Sequence, residues 1–456
     1  MNTLGDRQHL RASLIAWRWT ALAVVACSGL LAWFARVGAD YDWLVAMGDH
    51  IRDTGRVPDY VPYAAAPSAG WRDVPVLAQL VTSLADAWGD DFVVFAHVAL
   101  VASSLVVVAC TSRLDGASDR AVALSTTAVF VGALSAFVLV RLQTFSLLPF
   151  VLLVAVVASE HRRLTMRIWW APVLVAIWGN LHGAVLLGVC VLGAYLVFGR
   201  LRHRPFETIA IGMLSLLALL LTPQGWHTPS YYLTVLDNEA AARGEGLWGQ
   251  PDLGAPLDAV LVIAVALLVL GLLRRRQPVW VYVAVLGLGA ATTIASRNGV
   301  WLLLLLGAVA PAGRVSLNPI ASHRRAALVS VVVAAAVVTS LLSVRKTPTY
   351  AADPALVRAV EGVAGSGVVL APSPLAESLA VAGVTVWLTN PIDAFDKQDQ
   401  GAYLDFLAGG AGMQRAVVEA DVVVTEDGTE AAERMADLDG FYRSECATGW
   451  TCHVRR

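Results

Sequence analysis

GADYDWLVAMGDHIRDTGRVP, residues 38–58, directly follows the first long apolar run of the chain, Ala16 to Val37. It places four aspartates (Asp40, Asp42, Asp49 and Asp53) within fourteen residues, in a chain that is 57% hydrophobic and only 15% charged. Trp43, Leu44, Met47 and Ile51 share one helical face and Asp42, Asp49 and Asp53 the other, which predicts an amphipathic helix over 41–54. An apolar run long enough to cross a bilayer, followed at once by such a helix, is the pattern of a span that emerges into an interfacial layer.

Runs of comparable length recur from Ile15 to Val344, and the mean hydropathy of +0.64 excludes an ordinary soluble globule. The first run is too long for a signal-peptide core and lacks a convincing cleavage site, so it reads as a retained anchor. The net charge of −2 gives no electrostatic case for nucleic acid. Cys27, Cys110 and Cys190 lie in apolar runs and read as packing residues. No His/Cys spacing suited to a metal occurs.

The arginines orient the chain. Cytoplasmic loops carry the excess of Lys and Arg, and the basic clusters are Arg7/Arg11, Arg162/Arg163/Arg167, Arg200/Arg202/Arg204, Arg274 to Arg276 and Arg314/Arg324/Arg325. Between them, residues 38–91 hold nine Asp against three Arg, and 223–256 hold Asp237, Glu239, Glu245 and Asp252 against Arg243. Placing every cluster inside requires spans near 16–37, 92–112, 121–140, 144–159, 168–180, 183–199, 206–222, 257–273, 278–296, 299–312 and 325–344, about eleven helices. The segment VPVLAQLVTSLADAWGDD (74–91) is short and ends in acid, and crossing there would invert every later loop. It reads as a second surface helix of the first outer loop.

The expected architecture is therefore an all-α polytopic membrane domain, residues 1–344, followed by a small extracytoplasmic α/β domain, 345–456. In the latter GVVLAP, VTVWLT and ADVVVTEDG read as strands and PLAESLAVAG as a helix. No glycine-rich phosphate loop follows the first strand, so nucleotide binding is unsupported. Cys446 and Cys452, in an oxidising compartment under this topology, are a candidate disulfide.

With this topology the polar residues at span ends fall mainly on the outer side: Asp40 and Asp42, Arg141 and Gln143, Asn180 and His182 of WGNLHG (178–183), TPQGWH (222–227), and Arg297 of SRNG (296–299). Ionisable groups at membrane depth are costly and face a cavity or a partner, so an extracytoplasmic polar pocket is expected. Plainer roles also fit each residue. Asp40 suits a helix N-cap; Arg141 and Arg297 suit snorkelling anchors; His182 suits a cap on a neighbouring span; Gly179 and Gly183 suit a tight turn.

These residues, in this order, resemble bacterial members of the GT-C superfamily, multi-span glycosyltransferases that use polyprenyl-phosphate sugars. The resemblance rests on the Asp before an amphipathic helix ending G..I...G.VP, then R.QTFS, W.NLHG, P.GW and a late R. It covers most of residues 10–345, with IWGNLHGAVLLG (177–188) its most specific piece. It implies Asp40 as the catalytic acidic residue and Arg141, Gln143, Asn180, His182 and Arg297 as residues lining the donor-phosphate and substrate pocket. It implies an enzyme of the bacterial cytoplasmic membrane, N-terminus inside and C-terminal domain outside. That enzyme passes sugar from a polyprenyl phosphate to an extracytoplasmic acceptor such as a cell-envelope glycan, lipid or protein, with inversion.

The chemistry suits the residues. A guanidinium forks onto two phosphate oxygens, and a carboxylate can take the acceptor's proton. A divalent ion at Asp40 is compatible with this, though no ligand cluster demands one. The chain departs from the pattern at Leu44, where relatives often carry His, at WRDVPV (71–76), where they often read W..HEW, and at TPQG. Those losses favour a second reading, a catalytically degenerate scaffold or assembly subunit of the cell envelope. The retained Asp40, Arg141 and His182 favour the enzyme. A transporter fits less well, because charge gathers at one face rather than along a midplane path.

Overall fold

The computed structural model describes residues 15–236, 238–244, 248–311, 320–345 and 352–456. Arg7, Arg11, Asp237, Glu245 and Arg314 lie outside the described residues, as do the side chains of Arg324 and Arg325. Two compact units emerge. The first comprises residues 1–35, 91–222 and 246–346, and the second 36–90, 223–245 and 347–456. The chain passes between the two units at several points, and the first loop, 36–90, groups with the C-terminal region.

In the first unit, helices stand where the spans were expected, from Arg18–Phe34 to Ile320–Leu342. Three described helices, Asp90–Leu114, Thr144–Arg162 and Pro256–Leu273, are long and apolar enough to cross a membrane, and most of the others are shorter apolar helices. The centre is Gly299–Val309, every residue of which is buried, as a helix apolar all round requires. Around it Trp301, Phe150 and Trp178 form an aromatic cluster with ring centroids 5.3–6.3 Å apart. The first helix is capped from a distance: the Trp19 and Thr20 N–H groups donate to the Asp119 carboxylate at 3.0 and 3.1 Å, which satisfies two of its orphan donors.

At the ends carrying the second and third basic clusters, Arg200 is buried by a five-residue π-turn, Leu196–Arg200. It donates to the buried Glu160 at 2.7 Å and to Glu207 at 2.7 Å. The expected basic loop therefore contains a buried ion pair as well as exposed charge.

The second unit contains a mixed sheet of β1 (Val369–Leu370), β2 (Val422–Glu426), β3 (Phe441–Ala447) and β4 (Trp450–Arg455), ordered β1-β2-β4-β3. β1 runs parallel to β2, with Val369 opposite Val422. β4 lies antiparallel to both β2 and β3. Cys446 and Cys452 are disulfide-bonded across the terminal hairpin, with Cα atoms 5.6 Å apart. VTVWLT is not a regular strand. Val386 makes isolated bridges to Val369 and to Ala64 of the first loop, and the Ala65 and Ala66 N–H groups donate to the Val386 and Trp387 carbonyls at 2.8 and 2.9 Å. Its backbone is shared between the sheet and the first loop, so neither side builds a full ladder on it.

The amphipathic helix spans Ala39–Thr54 and ends at Gly55, which takes the left-handed conformation at φ 67°. It packs on the helices Val76–Asp86 and Leu375–Val381. Gly48 permits the first contact, because a Cβ there would sit 2.3 Å from the Gln79 carbonyl oxygen. A further helix, Glu239–Arg243, docks on Lys397–Leu407 through Arg243–Asp405 at 2.7 Å and a Glu239 N–H to Gln400 bond at 2.9 Å.

Candidate functional site

IWGNLHGAVLLG forms a helix end, a turn and a helix start between Trp170–Gly179 and Val185–Tyr195. Trp178 anchors it. The indole is fully buried, donates from Nε1 to Ser146 Oγ at 2.6 Å, and packs so closely on Gly188 that a Cβ there would lie 2.2 Å from the ring. Asn180 uses its side-chain amide to close two helix ends, donating to the Ala176 and Leu221 carbonyls at 2.9 and 2.6 Å. Neither Gly179 nor Gly183 has a positive φ. Gly179 is instead the last helical residue, where a Cβ would lie 3.2 Å from Thr222.

His182 follows in the turn. Its Nδ1 accepts the Ala184 N–H at 3.1 Å, which leaves the ring proton on Nε2. Burial, and then the charges of Arg297 and Arg141, lower its pKa to about 3. His182 is therefore a neutral donor beside two cations. The structure brings Arg141, His182 and Arg297 into one electrostatic neighbourhood, and Gln143 ties two of its segments together by donating to the Arg297 carbonyl at 3.1 Å. Arg141 itself donates to the Ser135 carbonyl at 3.5 Å.

Asp40 belongs to the second unit. It is half-buried in the first turn of its helix, whose N-cap is Gly38 with no side-chain cap bond, so the capping role is not the one it plays. Asp53 is exposed, as the helix pattern requires, whereas Asp49 is half-exposed and accepts from Ser83 Oγ at 2.5 Å. Asp42 differs from that expectation. Its Oδ2 accepts from Ser378 Oγ at 2.7 Å, and burial, with Asp86 and Asp90 adding to it, raises its carboxyl pKa to about 6.

Among the described residues no group of three or more His, Cys, Asp or Glu is placed to hold a metal ion. No protein-family model and no curated protein matches the sequence. Solved structures do resemble the chain. The archaeal oligosaccharyltransferase AglB from Archaeoglobus fulgidus, in complex with an inhibitory peptide and a dolichol-phosphate, aligns with 96% of this chain and 74% of its own at TM-score 0.50 and 10% identity. The apo form of the Archaeoglobus fulgidus oligosaccharyltransferase reaches 0.53 at the same identity and coverage. The chain shares its fold with these oligosaccharyltransferase structures. The arabinofuranosyltransferase AftD from Mycobacteria aligns at TM-score 0.48 and 15% identity, and this chain spans only 37% of its length.

Within this fold, sequence reasoning missed three groups. Trp248 stacks on Arg297, with the guanidinium carbon 3.2 Å from the ring centroid; it sits in a loop where nothing periodic marks it. His97, buried in Asp90–Leu114, donates from Nε2 to the Phe137 carbonyl at 2.7 Å and accepts at Nδ1 from Thr144 at 3.0 Å. A lone imidazole in an apolar run was its visible signal. Cys190 is exposed on its helix rather than packed.

Proposed function

We propose that the protein is a membrane glycosyltransferase that moves a sugar from a polyprenyl-phosphate donor to an extracytoplasmic acceptor, with inversion. The observation that carries this reading is that Arg141 and Arg297 both act on a neutral His182, with Gln143 bonded to the Arg297 carbonyl at 3.1 Å, in a fold shared with an enzyme solved with dolichol-phosphate. As the bond from the anomeric carbon to the phosphate oxygen breaks, negative charge grows on the leaving lipid phosphate. Two guanidinium groups stabilise that charge, and the His182 Nε2–H adds a hydrogen bond without needing to be protonated. The acceptor hydroxyl forms the new bond to the anomeric carbon, and Asp40 takes its proton as general base. The topology that goes with this reading has about eleven spans, a cytoplasmic N-terminus and an extracytoplasmic second unit.

The test is transfer by the purified full-length protein from a panel of polyprenyl-phosphate sugars to envelope glycans and lipids, with inversion read by NMR of the product. Arg141→Ala and Arg297→Ala should each lower kcat/KM by about a hundredfold, the loss of one charge-assisted contact in the transition state. Absence of transfer from every donor, with polyprenyl-phosphate binding retained, would instead support the degenerate scaffold.

A further inference from the structure

The backbone carrying Arg297 is fastened on several sides. Ser296 N–H donates to the Gly249 carbonyl at 2.9 Å, Gln143 holds the Arg297 carbonyl, and Asn298 Nδ2 donates to the Ala291 carbonyl at 2.9 Å. The residue before Gly249 is Trp248, whose ring takes the Arg297 guanidinium at 3.2 Å from its centroid. One short segment, 248–249, therefore clasps the Ser296–Asn298 turn by its backbone and the arginine by a ring. A ring engages the face of a guanidinium, whereas phosphate is recognised along its edge through paired N–H bonds. Stacking therefore fixes the plane in which a phosphate must approach. An arginine otherwise has much rotamer freedom to lose on binding, so a fixed plane raises affinity without any new contact to the ligand.

We propose that Trp248 is a positioning residue that presets the guanidinium plane of Arg297 for the phosphate of a lipid donor. This rests on the role given to Arg297 above. Neither Arg18 over Trp19, at 5.4 Å, nor Arg113 over Trp17, at 5.7 Å, approaches a ring as closely. Those two lie at the first helix, away from the turn that carries His182 in sequence and in element, and the tight stack occurs at the arginine that shares its neighbourhood with His182 and Arg141.

The experiment measures binding of a short-chain polyprenyl phosphate to the full-length protein in nanodiscs, with inorganic phosphate as a second arm. Trp248→Leu fills most of the space but has no ring, and Trp248→Phe restores one. Trp248→Leu should raise the lipid-phosphate Kd about tenfold, Trp248→Phe should stay within about threefold of the parent, and thermal stability should be unchanged in both. In an Arg297→Ala background Trp248→Leu should add nothing, which separates positioning from general packing. An unchanged Kd in Trp248→Leu, or an equal loss in the Arg297→Ala background, overturns the proposal while leaving Arg297 in its role. Unchanged binding in Arg297→Ala itself overturns both. Inorganic phosphate bound as tightly as the lipid, with the same dependence on Trp248, would overturn the lipid assignment.

Discussion

On the helix Ala39–Thr54, Asp53 faces solvent, Asp49 accepts from Ser83 and Arg52, Asp42 is bonded to Ser378, and Asp40 lies half-buried in the first turn. Their substitutions should separate accordingly. Asp40→Asn preserves the side-chain shape but removes the base proposed above, so transfer should fall about a hundredfold or more with folding intact. Asp49→Asn should leave transfer within about twofold. Asp42→Ala should act on stability, at a cost of about 1–2 kcal/mol for a lost side-chain hydrogen bond, seen as a lower Tm with kcat retained. Transfer assays and thermal unfolding on the same preparations distinguish the three outcomes. Full activity in Asp40→Asn would remove it from the mechanism.

Among the elements, the buried contact of Arg200 with Glu160 joins the ends of two helices, and the Thr165 N–H donates to the same carboxylate at 3.0 Å. Removing one member leaves a charge in a low-dielectric site, whereas removing both does not. Arg200→Met should therefore destabilise by about 3–5 kcal/mol, and Arg200→Met combined with Glu160→Leu should recover a large part of the loss, measured as Tm in one detergent. Arg200 also shows what the sequence could not disclose. Its place in a basic cluster was legible as a topology signal, but its burial depends on a π-turn that no periodicity announces. The helices of the first unit were legible because apolar runs bounded by charge have few alternatives in a bilayer. VTVWLT misled because a strand composition states only that a segment is buried and extended. Its partner, residues 64–66, is some 320 positions away and carries no strand pattern. In the candidate site, Arg141, Gln143, His182 and Arg297 were visible as polar residues at apolar ends, while Trp248 depends on long-range contact alone.

At the scale of the whole molecule, the arginine distribution predicts that positions 85 and 118 lie on opposite sides of the membrane. With the native cysteines replaced, Ala85→Cys should react with an impermeant maleimide added outside and Ser118→Cys should not; the reverse would invert the topology. The second unit, placed outside by that reading, then meets the external pH directly. Two of its carboxyl groups, Asp73 and Glu377, are fully buried, and burial raises the pKa of each to about 7. Glu377 keeps Oε1 bonded to Ser373 and Asn390, at 3.0 and 2.8 Å, and the Tyr63 hydroxyl donates to the Asn390 carbonyl at 3.1 Å. In the unfolded chain both acids ionise near pH 4. Below that pH the two states carry the same protons, and the stability associated with these groups is fully present. Between about pH 4 and 7 the unfolded chain loses protons that the folded unit retains, so stability falls as pH rises and levels off above 7. Acids with lowered pKa values elsewhere run the other way, so the informative quantity is the difference between variants and parent. Asp73→Asn and Glu377→Gln should each gain Tm relative to the parent as pH goes from 5 to 8, and the double variant should show the larger gain. Parallel Tm curves for parent and variants across that range would mean that both carboxyl groups are ionised in the folded protein, held by partners rather than by protons.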